Sequence, residues 1–260
     1  DSSHDYSKIM NYENSLVTFL RVIGCRIFSP LTRKEALEVT GYLRNIVNNQ
    51  YVSPHTTLIK GATILSMDES VGNIERGDIL ISGSTITAIG ENLEANGARI
   101  INATNMIAMP GMVDSHRHSW EGQLRRINPN ATCLEDYSNA THFSFAKYYR
   151  PADMYIGNLL TALGCIDAGI TTVIDNSHNS RTAAHSDAAV EALLDAGIRA
   201  IHASGAPVSG EWDRAHWPGN WQRLQEKYFK DNPESLVSLA VMAQLEPELW
   251  AEARRLGLPI

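Results

Sequence analysis

Nowhere does this 260-residue chain hold eighteen consecutive apolar residues, so no segment qualifies as a membrane-spanning helix. The nearest approach, "NSLVTFLRVIGCRIF", is too short and is interrupted by Arg21 and Arg26. Cysteine is scarce as well. Cys25, Cys133 and Cys165 are widely spaced, odd in number and match no zinc-finger pattern, which excludes a fully disulfide-stapled framework. They read as reduced thiols, and a cytoplasmic location is expected. Positive charge is in deficit, with 22 Lys and Arg against 29 Asp and Glu, a net charge of −7 and no basic cluster. A nucleic-acid partner is excluded on that ground, because phosphate binding needs a concentrated basic face. A residue-level repeat is also lacking. What is left is ordinary soluble globular material, 43% hydrophobic and 20% charged, and long enough for one large domain or two small ones. The start at Asp1, without methionine, predicts a processed or trimmed N-terminus. The Asn-Ala-Thr sequons at Asn102, Asn130 and Asn139 read as chance matches to a short pattern.

Three textures follow one another. Residues 1–53 form an extension, in which Thr32 and Glu35 make a capping-box pattern before a helix carrying Leu37, Leu43, Ile46 and Val47. Residues 54–105 are rich in β-branched residues punctuated by glycine, as in "TTLIKGATILSM" and "GDILISGSTITAIG". They predict short antiparallel strands, with Gly83-Ser84 as a two-residue hairpin turn. From residue 106 to 260, strand-like and helix-like stretches alternate. Strands are predicted at 107–116, 170–175, 198–204 and 236–242, and a fifth begins near Pro259. Such βα alternation implies a parallel sheet with right-handed crossovers, able to close into a barrel.

The first of these strands ends in "MPGMVDSHRHSW", residues 109–120. Alternation along a strand places Asp114, His116 and His118 on one face and Ser115 and Arg117 on the other. At the C-terminal mouth of a barrel, two imidazoles at that spacing can chelate one metal ion. The donor set suits Zn, Fe(II), Mn or Co, and one divalent ion is expected, zinc first. Isolated HxH triplets are common without metal. Here the buried-strand pattern before the motif and the βα series after it favour the metal reading.

"IINATNMIAMPGMVDSHRHSW" resembles the first barrel strand of the amidohydrolase superfamily, in particular its cytosine deaminase and chlorohydrolase-like branch. "GDILISGSTITAIG" resembles the β-sandwich strands of that family, and "LGCIDAGITTVIDNSHN" its first helix and second strand. The resemblance covers roughly residues 56–260. It implies the N-terminal half of a (β/α)8 TIM-type barrel preceded by a small antiparallel β-sandwich portion. It further implies a metal-dependent hydrolase acting on C–N bonds of a small cyclic nitrogen compound. Amide or lactam hydrolysis, or a catalytically inactive structural fragment, are the alternatives. His116 and His118 correspond to the family's first ligand pair. Its later ligands, from strands five, six and eight, have no counterpart by this strand count. Completion of the barrel by a second chain or a homo-oligomer is therefore one expectation.

Around the pair, Asp114 is either a group supporting the ligands or a satisfied polar residue at the barrel base. Trp120, Gln123 and Arg125 are predicted to line the substrate pocket, although Arg125 suits a solvated face equally. Asp175 and His178 close strand two at the site mouth, His178 as a substrate contact or proton shuttle, or as a loop-capping residue. His202 is either near the metal or in the core. Trp212, Trp217 and Trp221 belong to a long loop that could form a lid or pack on the rim.

Overall fold

The computed structural model describes residues 56–127, 130–214, 217, 219–242 and 246–260. The predicted N-terminal helix lies outside them. The chain divides into two compact units, the first ending at Pro110 and the second spanning Gly111–Ile260.

Among the described residues, the first unit is one five-stranded sheet. β1 (Thr56–Leu65), β2 (Asn73–Ser82) and β3 (Thr85–Gly90) pair antiparallel, and Gly83 adopts φ +60° in the two-residue turn between β2 and β3. β4 (Arg99–Asn102) and β5 (Ile107–Ala108) both pair parallel with β1. The sheet is therefore mixed, where purely antiparallel pairing was expected. The chain after β3 crosses back and re-enters beside β1 in β1's own direction. Ala62, Ile64, Ile79 and Ala103 form the core of this unit. Asp78 is buried but satisfied, accepting from the amides of Gly61 and Leu93.

The second unit is built on four parallel strands in the order β6 (Met112–Arg117), β7 (Ile170–Ser177), β8 (Arg199–Ser204) and β9 (Val237–Val241). Three of these follow the predicted strands closely. In the first, Ile107 and Ala108 leave the expected run to pair with β1, and Met109–Gly111 separates them from β6. Nor is β6 covered on both faces. It pairs with β7 alone among the described strands, and Met112 and Val113 are exposed. Pro259, where a further strand was expected, accepts a bond from the Val241 amide at 2.8 Å.

Helices fill the crossovers. α1 (Leu134–Ala140) leads through a π-helical segment, Thr141–Phe145, into a short 3-10 turn. α2 (Pro151–Asp167) starts with proline in its first turn, and Asp153 caps the Arg150 amide at 2.8 Å. α3 (Ala183–Ala196) stops at Gly197 in the left-handed conformation, the termination its sequence predicts. α4 (Gly219–Leu224) and α5 (Pro247–Arg255) complete the set. Ala162, Cys165, Val173, Leu193, Ile198, Ala200 and Val237 make the central core between helices and sheet. Trp221 is fully buried against Val241, Leu249 and Ala253, and Trp217 packs on it at 5.1 Å, so these two tryptophans fill the fold rather than a lid. Among the described residues no helix is long and apolar enough to cross a membrane.

One contact sets where the functional segment lies. The 3-10 turn Ser119–Leu124 is pressed against α2 through glycines on both sides. A Cβ on Gly157 would meet the Trp120 carbonyl oxygen at 2.1 Å, and one on Gly122 would meet the Gly157 carbonyl oxygen at 2.4 Å. Thr161 donates to the Ser119 carbonyl across the same seam. Gly157→Ala is accordingly expected to cost about 1–3 kcal/mol through overpacking, read as a lower denaturation midpoint at unchanged m-value.

Candidate metal centre

The HxH pair lies where β6 runs out, with His116 inside the strand and His118 one residue beyond its end. Their rings are 5.0 Å apart, edge to face. His118 Nδ1 lies 2.9 Å from the backbone carbonyl oxygen of Asn176, a partner that can only accept. Nδ1 therefore carries the proton, and Nε2 keeps its lone pair for a ligand. The Asn176 side-chain amide stands 3.4 Å from His116 Nδ1, so one residue at the end of β7 touches both imidazoles. This donor arrangement fits a divalent ion.

Strict alternation fails just below the pair. The β6–β7 register shifts between Asp114 and Arg117, which lie opposite Val173 and Asp175. Three steps on β6 thus face two on β7, a bulge that brings Arg117 round to the Asp114 side. Arg117 Nε donates to Asp114 at 2.8 Å, and the same carboxylate accepts from the His116 amide at 3.2 Å. Partial burial works to raise the Asp114 pKa, but these two hydrogen bonds and the guanidinium charge leave it lowered. Asp114 is thus tied to the ligand segment through the His116 backbone.

A second layer fastens the turn that follows. Asp175, fully buried, accepts from the Ser119 amide at 3.1 Å and lies 2.9 Å from His202 Nδ1. His202 is fully buried on β8, where Nδ1 meets Asp175 and Nε2 has no hydrogen-bond partner among the described residues. Asp175 therefore ties β7 and β8 to the residue immediately after His118.

His178, just past β7, is 4% exposed, and its ring lies 4.2 Å from that of His118. His142, from the π-helical segment, stacks edge-on to His178 at 4.7 Å. Glu121 joins them, and the potential ligand atoms of Glu121, His142 and His178 all lie within 4.8 Å of one another. Trp120, fully buried, backs both imidazoles at 5.7 and 5.8 Å. Tyr137 donates to Glu121 at 2.5 Å. Burial raises the Glu121 carboxyl, and burial together with the neighbouring glutamate pushes the Tyr137 phenol up. Burial and the proximity of His118 hold His142 at about 4, and burial and the surrounding histidines hold His178 at about 3.

Both imidazoles are thus neutral at pH 7, with folded pKa values below the ordinary 6.5 of an unfolded histidine. The unfolded chain then takes up protons first. Stability is fully present above pH 6.5 and declines as pH falls from there toward 4 and 3. The slope is at most about 1.4 kcal/mol per pH unit for each histidine. Denaturation of metal-free protein between pH 7 and pH 4 is expected to show this loss, and His178→Asn to flatten it.

The structure therefore brings His116, His118, Trp120 and His178 together. Gln123 instead donates to the Asp153 carbonyl at the start of α2, and Arg125 is exposed beyond the turn. Sequence reasoning missed Glu121, His142, Tyr137 and Asn176. Glu121 stands three residues after His118, a spacing that faces it back in a 3-10 turn. His142 carried no local signal at all.

A parallel βα unit with histidines at the C-terminal ends of its strands defines the class: an α/β scaffold of the kind that builds its sites at that end of the sheet. No family model matches the chain. Curated relatives include the 5-methylthioadenosine/S-adenosylhomocysteine deaminase of Carboxydothermus hydrogenoformans, 30% identical over 226 residues. That match covers 80% of this chain and 48% of the relative. The 5'-deoxyadenosine deaminase of Methanosarcina acetivorans is 30% identical over 118 residues, covering 45% and 27%. The chain thus spans about half the length, or less, of these relatives. Among solved structures, a triazine hydrolase variant superposes with a TM-score of 0.65 at 25% identity, over 77% of this chain and 51% of that one. Atrazine chlorohydrolase from Arthrobacter aurescens TC1, complexed with zinc, gives 0.61 at 25% over the same shares. A guanine deaminase from C. acetobutylicum shares the fold with a TM-score of 0.63 at 19% identity. In sequence and fold the chain is thus similar to amidohydrolase-superfamily deaminases and triazine hydrolases.

Proposed function

We propose that this chain is the N-terminal half of a (β/α)8 barrel hydrolase, acting on C–N bonds of a small cyclic nitrogen compound in the manner of a deaminase. The observation that carries the reading is the His118 tautomer. Asn176 holds Nδ1 as a donor, so Nε2 is presented beside His116 as a ready ligand pair. Matching names among the relatives add weight, since they are deaminases and triazine hydrolases. His116 and His118 would hold the ion, zinc by preference. An ion bound there supplies Lewis acidity and brings the pKa of a water near neutrality. The chain's own contribution is positional. Asn176 orients both imidazoles, Asp175 secures the turn behind them, and Trp120 excludes water from one wall. Free Cys133 and Cys165 support a reducing, cytoplasmic setting.

The test is ammonia release from purine nucleosides and from amino-substituted triazines, with zinc-loaded and chelator-stripped protein compared. Metal-dependent release from one of these classes supports the reading. No release from any of them by a chain carrying a full metal complement overturns it for this chain.

A further inference from the structure

Buried histidine nitrogens can be fully engaged in this fold, as in α3. His185 lies 2.8 Å from Thr182 Oγ1 through one ring nitrogen and 2.9 Å from the Tyr149 carbonyl through the other. His178 is different. Its Nδ1 is buried and has no hydrogen-bond partner among the described residues. Leaving a buried polar atom unpaired is costly, so this nitrogen calls for a partner that the described residues do not provide. The side chains around it indicate which kind. Glu121 from the 3-10 turn and His142 from the π-helical segment converge on His178, with ligand atoms mutually within 4.8 Å. Irregular π-helical turns recur at functional sites, where they re-aim one side chain.

We infer that Glu121, His142 and His178 form a second divalent transition-metal site, separate from the HxH pair and adjacent to it. Two imidazoles and one carboxylate are the donor set of a catalytic-type zinc centre, and nitrogen donors select against calcium and magnesium. Donor atoms at ordinary zinc distances stand roughly 3.3 Å apart on a tetrahedron. The side chains therefore need to close by at most about 1.5 Å, within the reach of small χ rotations. Tyr137 already holds one oxygen of Glu121 and leaves the other for the ion, the usual outer hydrogen bond behind a ligating carboxylate. Trp120 and Tyr137 wall the site with aromatic surface, at 5.7 Å from His178 and 5.2 Å from His142. With the rings of His118 and His178 4.2 Å apart, an ion here would lie beside the first pair without using its imidazoles.

The inference rests on the trio's own geometry, and its test separates it from the reading above. Zinc content per chain is measured by elemental analysis, and cobalt(II) is titrated with its visible absorption as the readout. Wild-type protein is expected to bind two ions, and His116→Ala and Glu121→Gln one each. The pair combined is expected to bind none. Glu121→Gln keeps an acceptor for Tyr137, and His142→Asn serves as a second variant should the first disturb folding. An ion that persists in His116→Ala and disappears in Glu121→Gln and His142→Asn supports the second site, even if the HxH reading fails. A single ion lost in His116→Ala but unaffected by Glu121→Gln and His142→Asn overturns it. So does a single ion lost in every variant, or a wild-type chain that binds none.

Discussion

His116→Ala is expected to strip the first ion from the protein while leaving its stability nearly untouched. The imidazole is exposed, and its contacts among the described residues are the Asn176 amide at 3.4 Å and the edge of His118. Removing it opens no core cavity, so the folding free energy is expected to move by no more than about 0.5 kcal/mol. Metal affinity is another matter. Loss of a residue that merely supports a ligand typically costs about 10–100-fold, and loss of a ligand from a chelating pair costs more than that. Competition against a chelator of known affinity gives the number, and chemical denaturation of the metal-free protein gives the control. His118→Ala is the less clean experiment, because that ring also packs on His178. Unchanged affinity in His116→Ala would remove the HxH pair from consideration.

Asp175→Ala is expected to produce the largest loss of stability. Its carboxylate serves two buried groups on different elements, the Ser119 amide and the His202 imidazole, both fully enclosed. Alanine leaves both without an acceptor. At about 1–3 kcal/mol for each stranded group, the total is about 2–6 kcal/mol. For a unit of this size that lowers Tm on the order of 10 °C. Asp175→Asn retains one acceptor and is expected to lose about half as much. Because Ser119 adjoins His118, the folded fraction of Asp175→Ala is also expected to bind metal roughly 10–100-fold more weakly. A loss below about 1 kcal/mol in thermal or denaturant unfolding would show that Ser119 and His202 find other partners.

The local code of this chain is strong wherever an element is set by its own residues. Gly197 stops α3, Pro151 starts α2, Gly83 turns the β2–β3 hairpin, and β7, β8 and β9 fall where β-branched runs meet helical periodicity. The HxH motif was legible for the same reason, since both histidines belong to one strand end and their spacing is local. Where neighbours decide, the sequence was silent or misleading. Ile107 and Ala108 read as the start of the barrel strand, yet backbone pairing with β1 claims them. Arg117 was expected to face away from Asp114, yet the bulge against β7 turns it back.

The cluster around the ligands shows the division most clearly. Glu121, His142 and His178 come from a 3-10 turn, a π-helical segment and a strand end, and up to 57 residues separate them along the chain. No periodicity links such positions. They meet because Gly122 and Gly157 let the turn lie flat against α2, and because Asp175 pins that turn to β7 and β8. The sequence by itself determined the parallel βα plan and the placing of two histidines at one strand end, because hydrophobic period, turn residues and i,i+2 spacing act within a few residues. Only the tertiary structure decided the tautomer of His118, the neutrality of His142 and His178, and the convergence of Glu121 upon them. Burial and hydrogen bonding from distant segments set each of these, and a side chain acquires such neighbours only when the chain is folded.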